Sequence, residues 1–125
     1  MLRNEKGFTL IEIIAVLVIL GILAAVAIPK YLSMMDESRI AAAQGALAEV
    51  KSRASGYYAN QLLQGLTPSC ANVATSVTGT PDLGSDYDVT AALGDASSSI
   101  IITVNKVKGV SLSPSVVGTW MMPTT

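Results

Sequence analysis

The sequence predicts an α+β chain in which one long N-terminal α-helix packs its second half against a small C-terminal antiparallel β-sheet. Three observations point there. The run Phe8 to Ile28 contains only Thr9, Glu12 and Gly21 outside the strongly apolar set. From Ile40 to Tyr57 the apolar residues recur at helical spacing, and after Tyr87 the pattern switches to strict alternation. At 125 residues the chain has room for one compact domain plus an appended segment.

The apolar run has a membrane dimension. As a helix, its 21 residues span roughly 31 Å, about one hydrocarbon core. Before it, Arg3 and Lys6 outweigh Glu5, so the short leader is positive and stays on the cytoplasmic side. Three readings fit this start. Phe8 to Ile28 is a permanent anchor, or it is the apolar region of a signal peptide cut at Ala25-Val26-Ala27 ahead of a secreted binding domain. In the third reading the leader is removed before Phe8, and the segment stays.

Glu12 decides among them. A carboxylate inside a membrane-length apolar run is costly and is by default a functional residue in search of a partner. A cut before Phe8 creates a cationic amine four residues away, on the same helical face. The amine of one copy could also neutralise Glu12 of a neighbour, turning a cost in the lone chain into an attraction between chains.

The stretch GFTLIEIIAVLVILGILAAVAIP resembles the N-terminal segment of type IV pilins and of the related type II secretion pseudopilins, without a gap from Lys6 to Tyr31. The resemblance implies a pilin-like fold, cleavage by a prepilin peptidase between Gly7 and Phe8, and methylation of the new Phe8 terminus. It further implies that Glu12 is the intramembrane glutamate of assembly and that Gly21 and Pro29 weaken the helix. The segment Pro29 to Leu32, with Glu37-Ser38-Arg39 and Gln44-Gly45, is similar to the mannose-sensitive haemagglutinin branch of pilins. That favours a pilus subunit over its alternatives, a secretion pseudopilin or a DNA-uptake pilin. The pair of C-terminal cysteines typical of pilins is missing, because Cys70 is the one cysteine.

Beyond the apolar run, Ile40, Ala43, Leu47, Val50, Ala54 and Tyr57 form one stripe of an amphipathic helix. Glu49 with Arg53, and Asp36 with Arg39, are spaced to form ion pairs along it. A continuous helix from Thr9 to Leu63 is about 80 Å long, more than a globule of this size encloses. Pro29 removes a backbone bond and crowds the carbonyl of Ala25, and Gly21 adds its own cost, so a bend is expected near the membrane boundary.

Thr67 to Ser85 is rich in Ser, Thr, Pro and Gly and reads as a loop that holds Cys70 as a half-buried residue. Tyr87, Val89 and Ala91 alternate with Asp86, Asp88 and Thr90 in a strand that ends near Gly94-Asp95. Ile100, Ile102 and Val104 mark a second, and Val116 to Met121 belongs to a third. A sheet of three or four strands needs the helix stripe to cover its inner face, with Trp120 in the core at the sheet edge. The organisation expected is a leader at 1–7, a transmembrane and assembly helix at 8–29, its amphipathic continuation at 30–65, and loop plus sheet at 66–125.

Composition excludes several functions. A formal charge of −1 with scattered basic residues gives no long-range attraction for nucleic acid. With no histidine, no phosphate-cradling loop and no nucleophile elbow, the chain carries no catalytic constellation and calls for no cofactor. Asp82, Asp86, Asp88 and Asp95 are acids enough for a calcium candidate, but their spacing fits no EF-hand, and solvated turn residues are the simpler reading. Aromatics make up 5% of the chain, too few for an electron path. The expected partners are copies of the chain in a helical filament, the inner membrane before assembly, the peptidase and an assembly platform. The expected course is from single-pass inner-membrane precursor to cell-surface pilus.

Overall fold

The computed structural model describes residues 7–78 and 83–124. Five elements follow in order: α1 (Leu10–Leu63), α2 (Cys70–Thr78), β1 (Tyr87–Leu93), β2 (Ser99–Val107) and β3 (Val110–Met121). Contacts divide the chain into two compact units, one ending at Glu37 and the other beginning at Ser38.

In the first unit every described residue is exposed, from Gly7 through Glu37. Phe8 is 85% exposed and Val26 72%. No fold that buries apolar groups against each other leaves such a surface in water. This half of α1 is long and apolar enough to cross a membrane. The helix runs through Gly21 and Pro29 without interruption.

The second unit holds the core. Its part of α1 buries Ala43, Ala46, Val50, Ala54 and Tyr58. This corrects the expected stripe at three places. Ile40 is exposed, Ala46 is buried whereas Leu47 is only partly so, and Tyr58 is buried whereas Tyr57 is only partly so. The alternating three-and-four spacing of the expected stripe suits a supercoiled seam, whereas the observed steps of three, four, four and four follow the drift of a straight helix with 3.6 residues per turn. The helix stops in a Schellman motif. Gly65 adopts φ +72°, its N–H donates to Leu62 C=O at 3.0 Å, and Leu66 N–H donates to Gln61 C=O at 3.0 Å. Arg53 pairs with Glu49 at 2.9 Å as the spacing predicted.

The expected loop from Thr67 to Ser85 is corrected by α2. Ser69 caps it, accepting the Asn72 N–H at 3.3 Å, and Cys70, Val73, Ala74 and Val77 form its buried stripe. The hydroxyls that made the segment look like a loop turn back onto the helix instead. Thr75 donates to Ala71 C=O at 2.8 Å and Thr78 to Ala74 C=O at 2.9 Å.

The sheet has three antiparallel strands in the order β1-β2-β3. Central β2 buries Ile100, Ile102, Val104 and Val107. Lys108 and Gly109, both at positive φ, make the two-residue turn between β2 and β3. Gly118 on β3 is set by close approach: a Cβ there would meet Leu47 Cδ2 of α1 at 2.5 Å. Trp120 is buried against Tyr58, ring centroids 6.1 Å apart in an edge-to-face pair. Its indole N–H donates to Ser55 Oγ at 2.9 Å, and Tyr58 Oη donates to the Pro123 carbonyl at 3.0 Å.

Candidate functional site

Helix α1 begins with a reciprocal cap. Thr9 N–H donates to Glu12 Oε2 at 2.8 Å and the Thr9 hydroxyl donates to the same oxygen at 2.8 Å. In return the Glu12 N–H reaches Thr9 Oγ1 at 3.4 Å. This is a capping box, which satisfies N–H groups that the first turn leaves without an intrahelical partner. The motif is legible in the sequence as Thr-x-x-Glu at residues 9–12, although the membrane cost of Glu12 alone does not point to it.

Glu12 therefore has its hydrogen-bond partner, Thr9, within its own chain. Both halves of this cap, Thr9 and Glu12, lie on the C-terminal side of the bond expected to be cut between Gly7 and Phe8. Gly7 and Phe8 precede the helix, outside regular structure and exposed. Phe8 and Glu12 line one shallow concavity with Ile13, Val16 and Leu17.

Gly21 and Pro29 both lie inside α1 and are exposed, and nothing stands within 4 Å of a Cβ built on Gly21. The expected leader residues Met1 to Lys6 lie outside the described residues, and so does Asp82. Asp86, Asp88 and Asp95 are exposed, and no group of three metal-binding side chains comes together among the described residues.

Cys70 opens α2 and is 3% exposed, its Sγ 4.0 Å from Met122 Sδ. It is neither half-buried nor in a loop, which corrects the sequence expectation. Burial keeps a thiol unreactive. A thiol-reactive dye added to the native chain is expected to label Cys70 only at the rate of unfolding, and labelling within seconds would contradict its placement. The groove where α1 meets α2 is lined by Arg53, Tyr57, Asn60, Gln61, Thr75 and Ser76 among others. It contains neither carboxylate nor thiol.

Comparison with known proteins agrees with this arrangement. Residues 2–28 match the family model of the prokaryotic N-terminal methylation motif. Fimbrial protein Q of Moraxella bovis is 35% identical over 104 residues, covering 83% of this chain and 60% of that protein. Type II secretion system core protein G of Pseudomonas aeruginosa is 51% identical over 43 residues, 34% of this chain and 30% of that one. The chain thus spans less than two thirds of the length of either relative. Type IV narrow pilus major component PilA5 of Thermus thermophilus is 36% identical over 85 residues, 67% of this chain and 70% of its own length. No solved structure matches the chain. With the methylation motif ahead of the apolar helix, and a narrow-pilus component matched over most of its length, this chain belongs to the type IV pilin family, which takes in the pseudopilins.

Proposed function

We propose that the chain is the structural subunit of a type IV pilus. Residues 1–7 are the leader, removed by a prepilin peptidase between Gly7 and Phe8, with methylation of the Phe8 amine. Residues 8–29 hold the precursor in the inner membrane and then form the inner bundle of the filament, residues 30–65 continue the helix, and residues 66–125 provide the outer surface. The observation that carries this reading is the fully exposed apolar half of α1 joined to a folded, self-contained second unit. Lipid covers that apolar surface in the precursor, and neighbouring copies cover it in the filament.

Glu12 would set the register of assembly. In the lone subunit its carboxylate is held by Thr9. In the filament the Phe8 amine of a neighbour, a full positive charge, replaces or joins these neutral donors, and charge-assisted bonds are the stronger ones. Gly21 and Pro29 make the span between them the part of the helix most easily unwound when the bundle forms.

A second reading, the pseudopilin of a type II secretion system, draws on the local match to core protein G. One experiment addresses both. Surface filaments sheared from cells are imaged, and their subunit is weighed by mass spectrometry. Long filaments built of a chain lacking seven residues and carrying one added methyl group are expected. Loss of 27 residues would overturn the reading in favour of a secreted domain, and a correctly processed chain that never leaves the envelope would favour the pseudopilin.

A further inference from the structure

Two adjacent methionines follow the sheet into opposite settings. Met121 ends β3 and is 75% exposed. Met122 is half-buried and packs against the main core that contains Tyr58, Cys70 and Ile100. Its thioether Sδ stands 4.0 Å from Cys70 Sγ. The backbone around it is held at two points, because Met122 N–H donates to Ser98 C=O at 2.8 Å and the Pro123 carbonyl accepts the Tyr58 hydroxyl at 3.0 Å. These bonds keep the tail against the first residue of α2.

The two sulfurs differ in access. Met122 lines an open concavity of about 390 Å³ with Tyr58, Leu62, Leu66, Pro68 and Pro123, whereas Cys70 is 3% exposed. A small oxidant therefore meets the thioether before the thiol. Leu62, Leu66 and Pro68 offer only carbon to a polar group at that position, and the Tyr58 proton is already committed to Pro123. The hydroxyls that share the concavity, Thr67, Ser98 and Thr124, belong to exposed residues.

We infer that Met122 is a peroxide-sensitive plug over Cys70, whose oxidation releases the tail and opens the thiol. As the O–O bond of peroxide breaks, one oxygen is transferred to Sδ and the other leaves as water, so the thioether becomes a sulfoxide. An apolar side chain has become a polar one in a place without donors for it. The sulfoxide turns outward, toward water and the exposed hydroxyls, and the cover over Cys70 leaves with it. A second peroxide then oxidises the opened thiol to a sulfenic acid, again with release of water. Met121 covers nothing, so its oxidation leaves Cys70 closed. No step involves the α1 assembly segment or depends on the filament reading.

The test uses the full-length chain in an alkyl maltoside. Met122→Gln places a polar side chain there without any oxidant. A thiol-reactive dye is expected to label its Cys70 faster than that variant unfolds and at least about tenfold faster than the parent, equivalent to about 1.4 kcal/mol in the opening equilibrium. Met121→Gln is expected to label at the parent rate. In a second arm, the parent and Met122→Leu, an apolar replacement of similar volume, are treated with hydrogen peroxide, quenched with catalase and assayed for free thiol in denaturant. The parent is expected to lose its Cys70 thiol together with the Met122 thioether, followed by mass spectrometry of the C-terminal fragment, while Met122→Leu keeps its thiol. This arm decides the matter if Met122→Gln does not fold. Labelling of folded Met122→Gln only at its unfolding rate, equal labelling of Met121→Gln and Met122→Gln, or equal thiol loss or retention in the parent and Met122→Leu overturns the proposal.

Discussion

Replacing Glu12 by valine is expected to give a chain that is cleaved, methylated and inserted in the membrane but absent from sheared filaments. Valine removes the carboxylate at little change in bulk and makes the segment more apolar, so the lone subunit becomes more comfortable in lipid. What it loses is the one carboxylate of the apolar run, the group proposed to attract the terminal amine of a neighbour. The structure adds a second loss, because Glu12 also accepts two hydrogen bonds from Thr9. Thr9→Ala separates the two. It removes the hydroxyl but leaves the Thr9 backbone N–H and the carboxylate, so the helix start is loosened while the inter-chain attraction survives. Filament yield is expected to fall to background for Glu12→Val and to stay measurable for Thr9→Ala, read by immunoblot of sheared and membrane fractions. Normal yield from Glu12→Val would sink the assembly mechanism, and equal loss in both variants would mean that the cap, not the charge, is what assembly requires.

The same two residues show what could be read in advance. The position of Glu12 in an apolar run is a one-dimensional fact, and the long helix, the strands at Tyr87 and Ile100 and the burial of Trp120 were likewise visible as spacing. Helix α2 was not, because Ser, Thr and Asn leave open whether their side chains bond forward into a turn or back onto a helix. Only the stripe Cys70, Val73, Ala74 and Val77 distinguishes the two, and it is short. The choice of Tyr58 over Tyr57 depended on how the helix face drifts across several turns, which small alanines at Ala42, Ala43, Ala46 and Ala48 do little to fix. The fit of Leu47 over Gly118 was out of reach, since the two are far apart in sequence and glycine announces only that something comes close.

Trp120→Ala is expected to cost the second unit about 3–5 kcal/mol, the usual range for deleting a buried large aromatic. Trp120 sits in the main core with Val50, Ala54, Tyr58, Ile100 and Ile102. Its ring joins the last strand to the helix in two ways, by the edge-to-face contact with Tyr58 and by the bond to Ser55 Oγ. A domain of this size has a total stability of about 5–15 kcal/mol, so the loss decides whether the subunit stays folded. Ser55→Ala isolates the hydrogen bond, and because Ser55 lies exposed on α1 water can replace its hydroxyl, so the cost is about 0.5–1.5 kcal/mol. Trp120→Phe removes donor and ring volume together but retains an aromatic against Tyr58, so its cost is expected between the other two. Because Ser55 and Trp120 are in contact, Ser55→Ala should cost much less in a Trp120→Phe chain than in the parent. Thermal melts of the full-length chain in detergent, followed by circular dichroism, check the order Trp120→Ala, then Trp120→Phe, then Ser55→Ala. A Trp120→Ala melting temperature within a degree or two of the parent would mean that α1 and the sheet are held together by other contacts, with Leu47 against Gly118 the next to examine.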